Sequence, residues 1–404
     1  MINQSPIRLI IHTQYYPPEI GAPQNRLSEL ANELANHGVE VIVLTAMPNY
    51  PLGKIYPGYG GLFRIEYHNK IRIIRCAIIP SQKASFLPRL VNYFSFVIFS
   101  LIIGFLKLPK SDYLLTESPP LFLGITGYLL SKLKNAQWIF NVSDLWPQSA
   151  VELGVIKSSS FAFRVSSKLE ALFYKHAWLV TGQSKAIIEN IRSRFPETNL
   201  YHLSNGVDTT AFLELIPEEH PITKIVYAGL HGMAQGLDQI VEAAHVLRKE
   251  PVEFVLVGDG PEKQNLIRLK DERQIQNISF KDPVFKADIP QILSMADVIF
   301  VPLKIQLTGA VPSKLYEAMA SARPVILMAG NEAAEIVNNA HCGIVIQPGD
   351  VSGLVEAIKI LAFNRKLRLE MGMAGRIYVD EHFNRRMIAG RFYEMLIDQF
   401  QGEL

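Results

Sequence analysis

The chain has 404 residues, 49% of them hydrophobic and 19% charged, and a formal net charge of +2. That length exceeds one ordinary core and fits two α/β domains of roughly 150–200 residues each. The composition excludes a disordered chain, and the near-neutral charge gives no global reason to expect nucleic acid as a partner. Cys76 and Cys342 lie far apart, so there is neither a disulfide framework nor zinc-ligand spacing, and a reducing cytosol is the expected setting.

In chain order, residues 7–13 (IRLIIHT) form a short apolar run with no basic flank or cleavage site, which reads as a buried parallel strand and not a signal peptide. His12 is expected to end that strand within the core. The loop YYPPEIGAP follows, then Leu27, Leu30, Ala31 and Leu34 at helical spacing, with Gly38 where a helix would stop. Residues 39–45 read as the next strand, so the chain opens with a βαβ unit. Residues 137–142 (QWIFNV) are a further strand, with Asp144 just beyond it. The pattern restarts at 224–229 (KIVYAG), followed by the glycine-bearing loop LHGMAQG, a helical stripe of Leu237, Ile240, Val241 and Ala244, and strands at 254–257 and 298–302. Two doubly wound domains are predicted. They join within the polar, acidic and proline-containing segment 205–221. Beyond residue 363 the pattern is helical, and a helix near 385–400 carries an apolar face of Met387, Ile388, Phe392, Met395 and Leu396.

One segment departs from this pattern. Residues 90–106 (LVNYFSFVIFSLIIGFL) carry no charge and are flanked by Arg89, Lys107 and Lys110. Three readings stay open: a helix buried in the first domain, a helix dipping into a bilayer with basic flanks on anionic headgroups, or a full span, for which about 20 apolar residues are needed.

The most informative stretch is GAVPSKLYEAMASARP, residues 309–324. Pro312 suits a first helical turn, and Ser313, Lys314 and Glu317 then share one face. The helix follows the strand 298–302, so its N-terminus lies at the carboxyl edge of the sheet, where free N–H groups attract phosphate. Glu317, one turn in, is placed to accept from ribose hydroxyls. A capped surface helix with a solvated Glu–Lys pair is the plainer alternative.

This stretch resembles the signature of family 4 of the glycosyltransferases, retaining enzymes of the GT-B fold. HTQYYPPEIGAPQNRLSELANEL, SDLWPQSAVELG, SNGVD, YAGLHGMAQGLD and FVLVGDGPEK resemble further blocks of that family, in order and over almost the whole chain. PNYPLG (residues 48–53) and Ser118-Pro119-Pro120 are similar to the bacterial subgroup that builds lipid-linked surface polysaccharides, including O-antigen amino-sugar transferases. The resemblance implies two Rossmann-like domains facing across a cleft. An acceptor-binding domain would span 1–205, joined by a helix crossing back at about 385–404, and a donor-binding domain would span 206–384. It implies transfer of an N-acetylated amino sugar or deoxy sugar from a UDP-sugar to a glycan or polyprenyl-diphosphate-linked acceptor, with no obligatory metal or other cofactor. The expected location is cytoplasmic, peripheral on the inner face of the cytoplasmic membrane, whose surface is an expected partner.

Two departures bear on the chemistry. The family has two glutamates eight apart; the second matches Glu317, but the first position is Gly309. Arg and Lys of the family's phosphate loop correspond to Leu230 and Gln235. Pyrophosphate must then be held by N–H groups around Gly229 and Gly232, the Gln235 amide, Lys304, Ser313 and Lys314, with lysines acting as point charges. Preorganised positive groups and a helix N-terminus replace the divalent ion. On the acceptor side, Asp144 orients or deprotonates the acceptor hydroxyl, or else caps a helix. Glu19 is a second catalytic candidate, facing the cleft from the first loop, or else an exposed loop carboxylate. Gly21 permits close approach to the donor, or merely a turn. Two rival readings remain: a UDP-sugar 2-epimerase of the same fold, and a non-catalytic bilobed binding protein. A dinucleotide dehydrogenase is disfavoured because the opening loop lacks GxGxxG.

Overall fold

The computed structural model describes residues 6–81, 86–212, 220–304 and 307–402. Part of the expected domain join, 213–219, and part of the loop before the 309–324 stretch, 305–306, lie outside the described residues. The chain divides into two compact units, Met1–Asn205 with Arg385–Leu404, and Gly206–Asn384.

The first unit holds strands β1 (Arg8–His12), β2 (Glu40–Ala46), β3 (Phe63–His68), β4 (Ile71–Cys76), β5 (Tyr113–Ser118), β6 (Gln137–Val142), β7 (Leu179–Gly182) and β8 (Leu200–His202). They form one sheet in the order β3-β4-β2-β1-β5-β6-β7-β8. Every pairing is parallel except the antiparallel β3–β4 hairpin at the edge. Its helices are α1 (Ala22–Asn36), α2 (Phe86–Lys107), α3 (Leu123–Lys134), α4 (Gln148–Glu152), α5 (Phe161–His176) and α6 (Lys185–Arg194), with α14 (Arg385–Gly402). The near-continuous apolar strands are buried on both faces, as a parallel sheet covered by helices requires. Ile10, Ile42 and Leu114 join one core, while Leu9, Ile11, Val41 and Leu115 join the other.

The second unit holds β9 (Thr223–Ala228), β10 (Val252–Val257), β11 (Ile278–Lys281), β12 (Val298–Pro302), β13 (Val325–Met328) and β14 (Gly343–Ile346). They form an all-parallel sheet in the order β11-β10-β9-β12-β13-β14. Its helices are α7 (Asp238–Val246), α8 (Lys263–Glu272), α9 (Ile289–Ser294), α10 (Ser313–Ala320), α11 (Asn331–Ala340), α12 (Val351–Ala362) and α13 (Arg365–His382).

α14 lies on α1 in the first unit. Phe392 and Leu396 are fully buried there, Tyr113 donates to the Leu396 carbonyl at 2.8 Å, and His37 stacks on Tyr393 at 4.9 Å. Arg385 pairs with Glu29 and donates to the Asn205 carbonyl at 3.0 Å. Met387, expected on the apolar face, is instead exposed. His12 ends β1 fully buried beside Ser100 at 3.1 Å, and burial lowers its pKa to about 3, so it stays neutral.

The apolar segment 90–106 forms most of α2. By length and composition alone Pro88–Lys107 could cross a membrane. Within the unit one face packs inward through Phe96, Val97 and Ile103, whereas Ile98, Ile102, Phe105 and Leu106 are exposed. α2 is therefore a half-covered helix, and the fully buried alternative does not describe it.

Candidate functional site

In the second unit the strand order reverses between β9 and β12, with β10 and β11 on one side and β13 and β14 on the other. A doubly wound sheet opens a crevice at the carboxyl ends of such a pair. The loop after β9 and the segment leading from β12 into α10 meet at that point, tied by the Lys304 N–H to the Ala234 carbonyl at 2.8 Å.

Gly229 begins the first loop with φ of 149°, a conformation that disfavours side chains. A Cβ there would collide with Lys314 Cε and lie 2.6 Å from its Nζ. The absence of a side chain thus lets the lysine lie against the loop backbone. Lys314 Nζ sits 5.7 Å from the ring centroid of Tyr227, whose hydroxyl donates to the Leu230 carbonyl at 2.6 Å. Among the described residues Lys314 has no hydrogen bond or ion pair. Burial lowers its pKa, opposed by the nearby Glu317 charge. An ammonium recessed in this way gains most from an anionic ligand.

Gln235 closes back on Gly232, and its buried Oε1 has no partner among the described residues. Lys304 is half-exposed and 3.5 Å from Asp238, an exposed ion pair of small worth. Its stem packs 2.8 Å from where a Cβ of Gly236 would be. Ser313 is the first residue of α10, and Pro312 is its N-cap and not part of its first turn, with no side chain capping the helix. Buried Leu315, Tyr316 and Met319 anchor α10, leaving Glu317 one turn from the N-terminus. Gly309 has φ of 80°, so the position of the missing family carboxylate is a turn that favours glycine. The loop, Gln235, Lys304, Ser313, Lys314 and Glu317 are thus grouped at one edge.

His231 was not foreseen. Its ring is fully buried between Tyr227 and Phe280, neither nitrogen has a partner among the described residues, and burial, then Lys263, lowers its pKa. Its sequence signal is a histidine inside the glycine loop, which pattern alone does not separate from an ordinary loop residue.

In the first unit the carboxyl ends of β5, β6 and β7 carry a buried polar network. Arg26 of α1 donates to Glu117 at 2.5 Å, to Ser143 Oγ at 2.6 Å and to Gln183 Oε1 at 2.5 Å. Glu117 also accepts from Ser143 Oγ at 2.5 Å and from Asn141. Asp144 sits beside this network. It caps no helix, since α4 begins at Gln148 with Pro147 as N-cap, and its carboxylate has no hydrogen-bond partner among the described residues. Burial raises its pKa, Glu117 raises it further, and Arg26 opposes both.

Glu19 corrects its expectation. It is 2% exposed, and its two oxygens accept the N–H groups of Asn49 and Tyr50, each at 2.8 Å, and of Tyr16 at 3.3 Å. It fastens two loops together; neither an exposed carboxylate nor a free catalytic one describes it. Gly21 is the N-cap of α1 in extended backbone that any residue adopts. A Cβ there would collide with the Gln24 amide, so the position serves packing at the helix start.

Residues 21–206 match the model of the glycosyl transferase 4-like domain, and residues 222–364 that of the glycosyl transferases group 1. The chain is 24% identical over 375 residues to a putative colanic acid biosynthesis glycosyl transferase, WcaI, of Escherichia coli, covering 87% of this chain and 91% of that one. Among solved structures it is similar to sucrose-phosphate synthase from Thermosynechococcus elongatus, with TM-score 0.77, 18% identity, and coverage of 98% and 100%. It is also similar to HepE of Anabaena in complex with UDP and glucose, with TM-score 0.69, 14% identity, and coverage of 97% and 100%. The shared architecture is the GT-B fold.

Proposed function

From the premise that the chain belongs to the glycosyltransferases, with a 4-like domain followed by a group 1 domain, we propose that it moves a sugar, with retention, from a UDP-sugar to a lipid-linked glycan in cell-surface polysaccharide biosynthesis. The carrying observation is the recessed Lys314 ammonium, with no hydrogen bond or ion pair among the described residues, against the Gly229 loop and the α10 N-terminus. A nucleoside diphosphate is the leaving group that such an edge stabilises. Lys304 and Lys314 take the pyrophosphate charge, the Gln235 amide and loop N–H groups complete its shell, and Glu317 holds the ribose. This arrangement works without an obligatory metal. The UDP complex of HepE and the colanic acid role in the name of WcaI support the choice of nucleotide and pathway class. Asp144 orients the acceptor hydroxyl and takes its proton as the glycosidic bond forms and UDP departs. An amino or deoxy sugar is the donor suggested by the subgroup resemblance.

The protein works peripherally on the cytoplasmic membrane face. Support comes from the exposed Ile98, Ile102, Phe105 (55%) and Leu106 (62%) of α2 and Leu133 of α3, bordered by Lys107, Lys110 and Lys132, with no carboxylate in either helix. Apolar side chains rimmed by lysine fit an anionic bilayer surface.

The decisive experiment incubates the protein with UDP- and GDP-sugars and a polyprenyl-diphosphate-linked glycan, following nucleotide release and product anomer by NMR. UDP release with a retained anomer is expected, unchanged by a chelator. A 2-epimerised donor with no transfer would establish the epimerase reading instead, and inversion would remove the retaining one.

A further inference from the structure

A second concavity lies at the β3–β4 edge of the first unit; of the residues placed in the sites above, only Tyr16, which donates its N–H to Glu19, reaches its lining. It has a volume of about 320 Å³, within the size range of small-ligand pockets. Three segments build it: the loop Tyr16, Pro17 and Pro18, the α1 positions Ser28 and Asn32, and the hairpin, with Tyr59 alongside.

Arg75 of β4 stiffens these walls. It is 2% exposed, pairs with Glu66 of β3, donates to the Pro17 carbonyl at 2.5 Å, and lies 5.2 Å from the Tyr59 ring centroid. One buried guanidinium therefore fastens hairpin, loop and ring together, which preorganises the pocket. Within the lining the charges of Glu66 and Arg75 cancel; Arg64, 3.7 Å from the other Glu66 oxygen and 5.2 Å from the Tyr59 ring centroid, lies outside that lining. What remains is flat phenol surface, with Tyr67 73% exposed, and His68, beside the Ser28 hydroxyl, which donates to the Asn25 carbonyl at 3.0 Å, the Asn32 amide, which donates to the Ser28 carbonyl at 2.8 Å, and Glu66; each keeps further donor or acceptor positions. A neutral ligand with one apolar face and many hydroxyls matches that lining, because its C–H face stacks on an aromatic ring while its hydroxyls bond to amide and carboxylate.

We propose that this pocket is a saccharide subsite, which holds acceptor sugar residues remote from the reacting hydroxyl. Its wall Tyr16–Pro18 is followed in the chain by Glu19, which is bonded to the Asn49–Tyr50 loop, so that loop cluster adjoins one wall of the subsite. The link to the acceptor rests on the transferase reading, whereas saccharide binding in the pocket does not.

The test is saturation-transfer NMR on the full chain without nucleotide, using lactose, cellobiose and N,N′-diacetylchitobiose as probes. Transfer to ring protons of at least one disaccharide is expected. It should weaken roughly fivefold to tenfold in Tyr67→Ala and fall in Asn32→Ala, and remain in Lys314→Gln. Tyr67 is mostly exposed and Asn32 lies on the outer part of α1, so both variants keep the fold, which circular dichroism verifies. No transfer from any probe, or equal transfer in Tyr67→Ala, overturns the subsite. If disaccharide binds there but Tyr67→Ala leaves KM for a long glycan acceptor unchanged, the acceptor assignment falls. UDP release from the donor alone reports on the transferase reading separately.

Discussion

The two Rossmann-like units present the same kind of edge, the carboxyl ends of parallel strands, and furnish it oppositely. In the second unit, Lys314 has no ion pair among the described residues and Lys304 only a weak one, beside a glycine loop and an uncapped helix. In the first, Arg26 is already neutralised by Glu117 and by two further acceptors, and the group left without a partner is a carboxyl, Asp144. One edge has its positive charge held in reserve for an anion. The other has spent its positive charge internally and offers a proton acceptor. That asymmetry divides the proposed reaction into a leaving-group half and a nucleophile half.

The contrast breaks most severely if the unpartnered carboxyl is removed. Asp144→Asn is expected to lower kcat by roughly 10²–10⁴-fold while nucleotide affinity by calorimetry stays put; equal loss of both would return Asp144 to a structural role. Next in size is Arg26→Leu, which leaves Glu117 buried and unpaired and should cost about 3–5 kcal/mol in chemical denaturation, with far less loss in Arg26→Leu/Glu117→Leu. Lys314→Gln should weaken UDP binding by roughly ten- to a hundredfold, and Lys304→Ala by less, since its head is half in water. The smallest effect is in pH. Asp144 has its pKa raised above 3.8, so kcat/KM should rise with pH through an apparent value above that figure. The folded protein holds this proton more tightly than the unfolded chain, so its contribution to stability fades as pH rises through the folded pKa. A limb at or below 3.8 would separate Asp144 from the reacting hydroxyl.

Some of this was legible from sequence because it is local. β1, β9 and β12 are built on local apolar runs and α10 follows β12, so the place of the donor edge could be read from spacing, while the loop residues and lysines that furnish it were named from the family resemblance. What was not legible depends on distance along the chain. Arg26 sits on a helix whose pattern gives no reason to bury it; its partners, Glu117 of β5 and Gln183 just past the end of β7, arrive from 91 and 157 residues away. Glu19 looked like a free loop carboxylate because the N–H groups that consume it belong to residues 49 and 50. The β3–β4 hairpin was missed for a related reason. Arg72 and Arg75 interrupt its apolar alternation, and burial of Arg75 becomes tolerable through partners distant in sequence, Glu66 across the strands and the Pro17 carbonyl.

The interrupted course of the first unit has a consequence for biosynthesis. Its sheet is complete once residue 202 has been made, but the surface of α1 that receives Phe392 and Leu396 waits for α14, and the whole of 206–384 is translated in between. A ribosome therefore releases an entire second unit, able to close its own core, while the first still lacks the helix that packs on α1. Nascent chains stalled before residue 385 should be held by chaperones and cut by proteases in their first half, with the later-made half the more resistant.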